Sequence, residues 1–322
     1  MKILVTGASG FVGSHVVHLA LKLGHEVWAA VRKTSSRQWL TDPGIRFVDF
    51  QEISEITDTF DAVIWCAGIT KALKDEEFET VNYFQMRKCV EAMRQSGHLP
   101  RIFVYMSSLS ARYPVSAYGR SKLHAAEWLR EQKDMTVVIL YPTGVYGPRD
   151  RDYLQQFRMI KSGFDFVPSL WGQQKLSFIY VWDLANIVFQ AISVAEAVLD
   201  RCGACPVMEM DVSEPRTYTN AEFRHILQHE FAGRAGDKRW PVLPLRVPGW
   251  FIHLVCGISG LIAKMRHKPA LLNPDKAHLL TQMDWTADNT QLRYWLGDNI
   301  PFTSLQNGVR LTTQYYLDNG WL

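Results

Sequence analysis

The stretch YGRSK, residues 118–122, places a tyrosine and a lysine four positions apart. On a helix, residues at this spacing share one face, so the phenol of Tyr118 and the ammonium of Lys122 meet. A free tyrosine titrates at about pH 10, and a neighbouring cation stabilises its phenolate and lowers that pKa. The pair could therefore give a proton to a carbonyl oxygen or take one from a hydroxyl.

Two serines, Ser107 and Ser108, stand at the carboxyl end of a predicted strand over residues 101–108. A hydroxyl donor beside the phenol would orient a carbonyl group and stabilise the charge that develops on its oxygen. Either serine could take this role. The combination of serine, tyrosine and lysine predicts chemistry at a carbonyl or a secondary alcohol.

A glycine-rich loop, TGASGFVG at residues 6–13, follows a predicted strand and opens a predicted helix. Gly7 permits a sharp turn, Gly10 lets the backbone approach a pyrophosphate, and Gly13 allows the helix to pack closely on the strand. The N-terminus of the helix offers N–H groups and a positive dipole end to phosphates. This context predicts a dinucleotide site.

The choice of dinucleotide is read at the end of the second predicted strand, where an acidic residue normally binds the ribose of NAD. Arg32, Lys33 and Arg37 occupy that place instead. Cations there favour the 2′-phosphate of NADP(H) over NAD(H), although they could also be ordinary surface residues.

Apolar runs alternate with helical segments through the first 140 residues, which predicts an α/β fold with a Rossmann-type doubly wound parallel sheet. A smaller, mainly helical C-terminal substrate lobe is expected to follow. The predicted strands are residues 2–7, 25–32, 61–68, 101–108, 136–147 and 206–211, the predicted helices are residues 13–24, 79–97 and 117–132, and a strand and helix span 176–192. We expect a dinucleotide-binding domain over 1–147, to which 173–211 return, and a substrate-binding lobe over 148–172 and 212–322.

The composition argues against several classes of protein. With a net charge of +3 over 322 residues and no basic run of the required kind, nucleic acid is not an expected partner. Five scattered cysteines do not form a disulfide framework, and the CGAC at residues 202–205 lacks the further ligands of a zinc site, so no metal is expected. The short apolar run at the N-terminus is not a signal peptide, which predicts a cytoplasmic protein.

The longest apolar stretch runs from Val247 to Ala263. It is at the short end of what can span a bilayer. A buried helix that lines a substrate pocket is the favoured interpretation, and a segment that dips into a membrane is the alternative.

With these motifs the chain resembles the extended short-chain dehydrogenase/reductases, also called the NAD-dependent epimerase/dehydratase family. The resemblance covers about the first 190 residues and rests on TGASGFVG, CAG at 66–68, VN at 81–82, SS at 107–108, YGRSK, LYPTGVYGPRD at 140–150 and FIYVWDLA at 178–185. It implies that Tyr118 is the acid/base and that Lys122 binds the nicotinamide ribose and tunes the tyrosine. It also favours Ser108 over Ser107 as the serine that orients the carbonyl.

The resemblance further implies that Pro142 and Thr143 border the nicotinamide, that Ala67 and Gly68 border the middle of the cofactor, and that Asn82 lies on a supporting helix. The full set expected to contact the cofactor is Gly7, Ser9, Gly10, Phe11, Val12, Gly13, Arg32, Lys33, Ala67, Gly68, Tyr118, Lys122, Pro142, Thr143 and Val145.

Several positions depart from the family pattern. Ser108 and Tyr118 are only ten positions apart, a shorter spacing than in many sugar-nucleotide enzymes, so Arg112 and Tyr113 are expected to project into the site. Tyr141 replaces the arginine of the usual LRP, Trp182 replaces an acid, and the sugar-nucleotide arginine before residue 178 is absent. These differences weaken the case for a UDP-sugar or dTDP-sugar substrate.

Three functions remain open. The first is an NADP-dependent oxidoreductase acting on a small, fairly apolar carbonyl or secondary alcohol. The second is a nucleotide-sugar epimerase with tightly bound NAD, in which Arg149 and Arg151 could contact a pyrophosphate. The third is a non-catalytic NADP-binding regulatory protein on the same fold. The resemblance also implies a homodimer.

Overall fold

A computed structural model of the protein describes residues 1–56, 58–169, 173–203, 206–236, 240–266 and 274–322. The strands are β1 Lys2–Thr6, β2 Glu26–Val31, β3 Ile45–Asp49, β4 Ala62–Trp65, β5 Ile102–Met106, β6 Thr136–Pro142, β7 Gly144–Tyr146, β8 Phe164–Ser169, β9 Lys175–Leu176, β10 Phe178–Tyr180, β11 Val207–Val212, β12 Tyr218–Thr219, β13 Leu243–Pro248 and β14 Asp284–Trp285.

The α-helices are α1 Phe11–Lys22, α2 Asp75–Glu79, α3 Gln85–Gln95, α4 Ala117–Arg130, α5 Leu154–Lys161, α6 Val181–Cys202, α7 Asn220–Ala235, α8 Gly249–Arg266, α9 Pro274–Thr281, α10 Thr290–Leu296 and α11 Leu305–Asp318. Two 3₁₀ helices span Phe50–Glu55 and Leu109–Ala111, and one turn of π-helix spans Thr80–Phe84.

A seven-stranded sheet with strand order β11-β6-β5-β4-β1-β2-β3 forms the centre of the first compact unit. Every neighbouring pair in it is parallel. The strands β4, β5 and β6 are buried along their whole length, as expected where helices cover both faces of a parallel sheet. The order reverses direction at β1, which confirms the predicted doubly wound α/β fold.

The chain divides into two compact units, of which the first contains residues 1–142, 184–212 and 289–300 and the second contains 143–183, 213–288 and 301–322. The first boundary falls inside the segment 136–147 that we predicted as one strand. Two strands stand there instead, β6 and β7, because Pro142 cannot donate a ladder hydrogen bond and ends the first of them.

The second unit has an aromatic core and only small sheets. Rings of Tyr146, Phe178 and Phe223 pack together, with the centroids of Phe178 and Phe223 4.9 Å apart. Its sheets are the pairs β10-β7 and β13-β8 and the triplet β12-β9-β14. The predominance of helix after residue 212 agrees with the expected C-terminal lobe.

The apolar stretch 247–263 forms most of α8, but the favoured expectation of a buried helix is wrong. Cys256 and Ala263 are buried, whereas Trp250, Leu254 and Leu261 are half or more exposed. The helix contacts α9 and β13, which cover one side of it, and its other side points outward.

Of the described helices, α6 alone is long and apolar enough to cross a membrane, and more than half of its most apolar window is buried, as in a core helix.

Candidate active site

The glycine loop adopts the compact conformation that its sequence predicts. Gly7 has a φ of +63°, in the left-handed region, and its carbonyl oxygen accepts a hydrogen bond of 2.9 Å from the N–H of Gly10. A β-carbon on Gly13 would clash with that carbonyl, so α1 can approach β1 this closely only with glycine there.

The N-terminus of α1 can receive an anion. Its N-cap residue, Gly10, is exposed and makes no side-chain cap, and no acidic residue lies in the first turn. The N–H groups of Phe11, Val12 and Gly13 therefore point towards the loop without a capping carboxylate, and Ser9 is half-buried beside them.

The segment after β4 packs directly against the loop. The N–H of Ala67 donates to Oγ1 of Thr6 at 3.2 Å, and a β-carbon on Gly7 would lie 2.7 Å from the nitrogen of Ala67. A β-carbon on Gly68 would lie 2.9 Å from Oδ1 of Asn82 and 3.2 Å from Nζ of Lys122. Gly7, Ala67, Gly68 and Lys122 are thus neighbours at the carboxyl edge of the sheet.

Asn82 connects this edge to α4. Its buried side chain accepts from the N–H of Ile69 at 2.8 Å and donates to the carbonyl oxygen of Ile69 at 3.1 Å and to Oγ of Ser121 at 3.0 Å. The residue sits in the π-helical turn, a feature often found at functional sites. Ser121 and Ile69 were not among the predicted residues, since only the folded arrangement pairs them with Asn82.

Lys122 is a buried residue of α4, and its amine lies at the end of β5. Nζ donates to the carbonyl oxygen of Met106 at 2.9 Å and lies 4.9 Å from the ring centroid of Tyr105. Burial lowers the pKa of Lys122 to about 8. Burial also raises the pKa of Cys66 to about 12, so that nearby thiol stays neutral at physiological pH.

Tyr118 is the second residue of α4, one turn before Lys122. Ser116 caps the helix by accepting from the N–H of Gly119 at 2.9 Å. The ring of Tyr118 is half-buried and packs edge-on against Phe78, with centroids 6.1 Å apart. A β-carbon on Gly119 would meet the carbonyl oxygen of Ser110, so α4 presses closely on the turn that follows the serines.

The two serines have different environments. Oγ of Ser108 accepts from the N–H of Ser110 at 3.2 Å as it caps the 3₁₀ turn, and the residue is partly exposed. Its O–H is a donor in addition. Ser107 is buried, and within the described residues its hydroxyl has no hydrogen-bond partner.

Arg112 was expected to project into the site, but other residues hold its side chain. Its Nε donates to Asp211 at 2.9 Å, and its guanidinium carbon lies 3.8 Å from the ring centroid of Tyr141. The hydroxyl of Tyr141 in turn donates to Glu209 at 3.0 Å. Arg112 is therefore held at the edge strand β11, and Tyr141, which replaces the family's arginine, belongs to the same cluster.

The cations after β2 are not equivalent. Lys33 lies 3.3 Å from carboxylate oxygens of both Asp49 and Glu52, and its pKa is raised, chiefly by the hydrogen bond to Glu52. Arg37 lies over the ring of Phe47 at 4.2 Å. Arg32 is exposed and has no side-chain partner among the described residues.

The sequence patterns do not predict Asp49 and Glu52, because they predict neither β3 nor the 3₁₀ helix that follows it. The strand is a short edge strand whose residues are mostly half-buried. Its sequence, IRFVD, alternates only weakly between apolar and polar residues, which is a poor signal for a strand.

The remaining residues predicted to contact the cofactor lie around residue 142, where the first segment of the first unit ends. Pro142 is buried at the end of β6 in the first unit. Thr143 and Val145 belong to the second unit, where Thr143 is buried and Val145 pairs with Ile179.

Arg149 and Arg151, the arginines considered for a pyrophosphate, are engaged within the second unit. Arg149 has a φ of +73° and hydrogen-bonds with Tyr315, and its pKa is lowered by burial. The guanidinium of Arg151 lies 5.1 Å from the ring centroid of Trp321.

No group of three or more His, Cys, Asp or Glu side chains in the described part of the chain is arranged to hold a metal. Cys202 is exposed and free, and Cys205 lies outside the described residues.

A model of the NAD-dependent epimerase/dehydratase family matches residues 3–200. The chain belongs to this family. It is therefore an NAD(P)-dependent oxidoreductase or epimerase of the extended short-chain dehydrogenase/reductase type.

Two relatives match nearly end to end. A ceramide reductase of Caulobacter vibrioides is 26% identical, with 99% of this chain and 96% of that protein covered. A UDP-glucose 4-epimerase of Vibrio cholerae is 24% identical, with 98% and 95% covered. The two relatives represent the two chemistries that the sequence left open.

Solved structures share the fold. A UDP-glucose 4-epimerase of Thermotoga maritima, solved with UDP-glucose, has a TM-score of 0.71 at 20% identity, with 99% of both chains covered. A UDP-glucuronic acid 4-epimerase of Bacillus cereus, solved with NAD, has a TM-score of 0.72 at 20% identity and the same coverage.

Proposed function

We propose that this protein is an NADP(H)-dependent reductase that interconverts a carbonyl and a secondary alcohol on a small, fairly apolar substrate, with Tyr118 as the acid/base. The observation that carries the proposal is the buried amine of Lys122, held at the carbonyl of Met106 beside Gly68, one turn after Tyr118 on α4. A buried lysine with a perturbed pKa is a candidate for a functional role. The role we assign to Lys122 is to lower the pKa of Tyr118 and to bind the nicotinamide ribose.

The first unit fits a dinucleotide. The uncapped N-terminus of α1 and the tight turn at Gly7 leave room for a diphosphate, and Gly13 lets α1 pack this closely on the loop. Ala67 and Gly68 continue the same edge, and Lys122 follows. When bound, the nicotinamide cofactor supplies or takes up the hydride.

Tyr118 transfers the proton. In the reductive direction its O–H protonates the oxygen of the carbonyl as the carbonyl carbon receives hydride, which yields a secondary alcohol and a phenolate. The ammonium of Lys122 stabilises that phenolate, which recovers its proton from solvent. Ser108 is assigned the hydrogen bond to the carbonyl oxygen, because its O–H can donate while its oxygen caps the turn.

We assign NADP(H) rather than NAD(H), with Arg32 as the main discriminating residue. Arg32 is exposed and forms no ion pair with another described side chain, whereas Lys33 forms ion pairs with Asp49 and Glu52. The guanidinium suits a 2′-phosphate, which it can bind in bidentate fashion.

The apolar substrate is supported by the end-to-end match to a ceramide reductase. The match to a UDP-glucose 4-epimerase keeps epimerisation with a retained NAD as the second candidate. Against it, Arg149 and Arg151, the cations considered for a sugar-nucleotide pyrophosphate, are engaged with Tyr315 and Trp321. We assign cofactor binding to the first unit and substrate recognition to the second.

The test is a comparison of substrates. Purified protein with NADPH is offered long-chain ketones and, separately, UDP-glucose, while loss of NADPH and conversion of UDP-glucose to UDP-galactose are measured. The reductase consumes NADPH in proportion to alcohol formed. Conversion of UDP-glucose without net use of added cofactor would establish the epimerase instead.

We also propose a homodimer formed through α3 and α4, as the family resemblance implies. Phe84, the residue just before α3, is 53% exposed and offers an apolar contact. Sedimentation of the wild type and of Phe84→Glu tests this, since the variant should be monomeric.

A further inference from the structure

The outward face of α8 is apolar where a helix on a protein surface is normally polar. Its exposed large side chains recur at steps of three and four residues, so they form one stripe along the helix. The stripe consists of Trp250, Leu254, Ile258, Leu261 and Met265, and Phe251 and Ile262 flank it. We call these seven residues the α8 stripe. Trp250 and Met265, at its two ends, are 69% and 76% exposed.

A second apolar surface belongs to the same unit. In the parallel pair β8-β13, Phe164 is in register with Leu243 and Phe166 with Leu245, so these four side chains share one face of the ribbon. Phe164, Phe166 and Leu243 are exposed. This face and residues of α5 line a cavity of about 420 Å³, and α8 contacts both strands.

The charged residues of the chain segment that contains the stripe have one sign. From residue 238 to residue 274 the sequence contains no aspartate or glutamate and six cations, namely Lys238, Arg239, Arg246, Lys264, Arg266 and Lys268. Of those with described side chains, Arg246 and Arg266 are exposed. An apolar stripe with cations and without acids is the composition of a helix that lies in the interface of an anionic membrane.

We propose that the α8 stripe binds the surface of an anionic phospholipid bilayer. The helix would lie in the plane of the interface instead of spanning it, because Cys256 and Ala263 on its inner side are buried in the protein. Trp250 stands at the N-terminal end, where an indole anchors well at the level of the headgroups.

A second copy of this chain fits the same face less well. A symmetric contact between two stripes would bring the cations of both copies together, and the segment has no acids to pair with them. Phospholipid headgroups supply the missing negative charge. The inference does not depend on the proposed reaction, because binding to vesicles requires no turnover.

The test is flotation of the full-length protein with vesicles of phosphatidylcholine alone or of phosphatidylcholine with about a third of phosphatidylglycerol. The wild type should float with the anionic vesicles, and added salt should weaken the binding. Ile258→Glu with Leu261→Glu should lower the bound fraction tenfold or more. Arg246→Ala and Arg266→Ala should each weaken binding to the anionic vesicles by about fivefold.

The matched control places the same charge on exposed leucines outside the stripe, as Leu23→Glu with Leu311→Glu. These residues are 51% and 41% exposed. The control variant should float like the wild type, and circular dichroism with thermal unfolding should show that all variants keep the wild-type fold.

Three outcomes would overturn the proposal. One is a wild type that stays with neither type of vesicle. Another is equal flotation of the wild type and the Ile258→Glu, Leu261→Glu variant. The third is self-association of the wild type that this double variant abolishes while vesicles bind neither protein, which would make a second copy the occupant of the stripe.

Discussion

Helices α4 and α8 break the usual rule of burial in opposite directions. On α4 the residue Lys122 is only 5% exposed, although lysine is among the residues least often buried. On α8 the indole of Trp250 and the side chain of Met265 point outward. Each departure costs folding free energy, so each marks a place where the protein does something other than fold. On α4 the task we infer is chemistry, and on α8 it is attachment to a surface.

The largest effect that tests the α4 side of this comparison is expected from Tyr118→Phe. Loss of the acid/base hydroxyl should lower kcat by roughly three orders of magnitude, within the range of general acid–base catalysis. NADPH binding, followed by titration, should change little. Tyr294→Phe, at a tyrosine of α10 that is 73% exposed, is the matched control and should keep nearly full activity. Full activity in Tyr118→Phe would remove the assignment of Tyr118.

Lys122→Met tests whether burying the ammonium costs stability. The folded-state pKa of about 8 lies below the ordinary value of 10.5, so between these pH values the unfolded chain binds more protons than the folded protein. Wild-type stability should therefore rise across this window relative to the variant. At pH 7 the variant should be more stable by about 2 kcal/mol, since relief of the buried charge outweighs the lost hydrogen bond to Met106.

The measurement is urea unfolding of wild type and Lys122→Met at about pH 7 and about pH 10. Lys133→Met, at an exposed residue between α4 and β6, is the control and should change stability little at either pH. A stability difference between wild type and Lys122→Met that is the same at both pH values would contradict the buried ammonium.

A glycine in the loop beside the Lys122 site and a glycine on α8 sharpen the comparison further. Gly13→Ala places a β-carbon against the carbonyl of Gly7 and should destabilise the protein by about 1–3 kcal/mol, with loss of dinucleotide binding. Gly257→Ala on α8 meets nothing within 4 Å and should stabilise the helix by about 0.5–1 kcal/mol. Thermal unfolding of both variants checks this, and equal effects would mean that the loop is less tightly packed than described.

A further expected effect concerns the choice of cofactor. Arg32→Ala should weaken NADPH binding about tenfold, the loss of roughly one charge-assisted contact, and leave NADH binding unchanged. Lys33→Ala should have a smaller effect, because Asp49 and Glu52 already neutralise that cation. Fluorescence titration with both cofactors separates the two variants. Equal weakening of NADPH and NADH by Arg32→Ala would remove the 2′-phosphate contact.

How far the sequence predicts the structure differs between the same two regions. The glycine loop and the Tyr118–Lys122 pair are local patterns on regular elements, so both could be placed before the fold was known. The strand β3 could not, because IRFVD is short and its residues are mostly half-buried at the sheet edge. Periodicity predicted a helix at α8 but does not reveal which side of an apolar helix is covered.

Contacts between residues distant in sequence were the other source of error. Arg112 was expected to project into the site because of the short spacing before Tyr118. Its partner is Asp211, 99 residues away on β11, and no local pattern could have paired them. The network of Asn82, Ile69 and Ser121 escaped prediction for the same reason.

The measurement that tests the central claim most directly is the identity of the nucleotide carried by the purified protein. The protein is denatured, any released nucleotide is identified by absorbance and mass, and the emptied protein is titrated with NADPH and NADH. A reductase that exchanges its cofactor predicts little retained nucleotide and tighter binding of NADPH than of NADH. One tightly held NAD per chain would contradict the reductase and establish a cofactor that stays bound, as epimerisation requires.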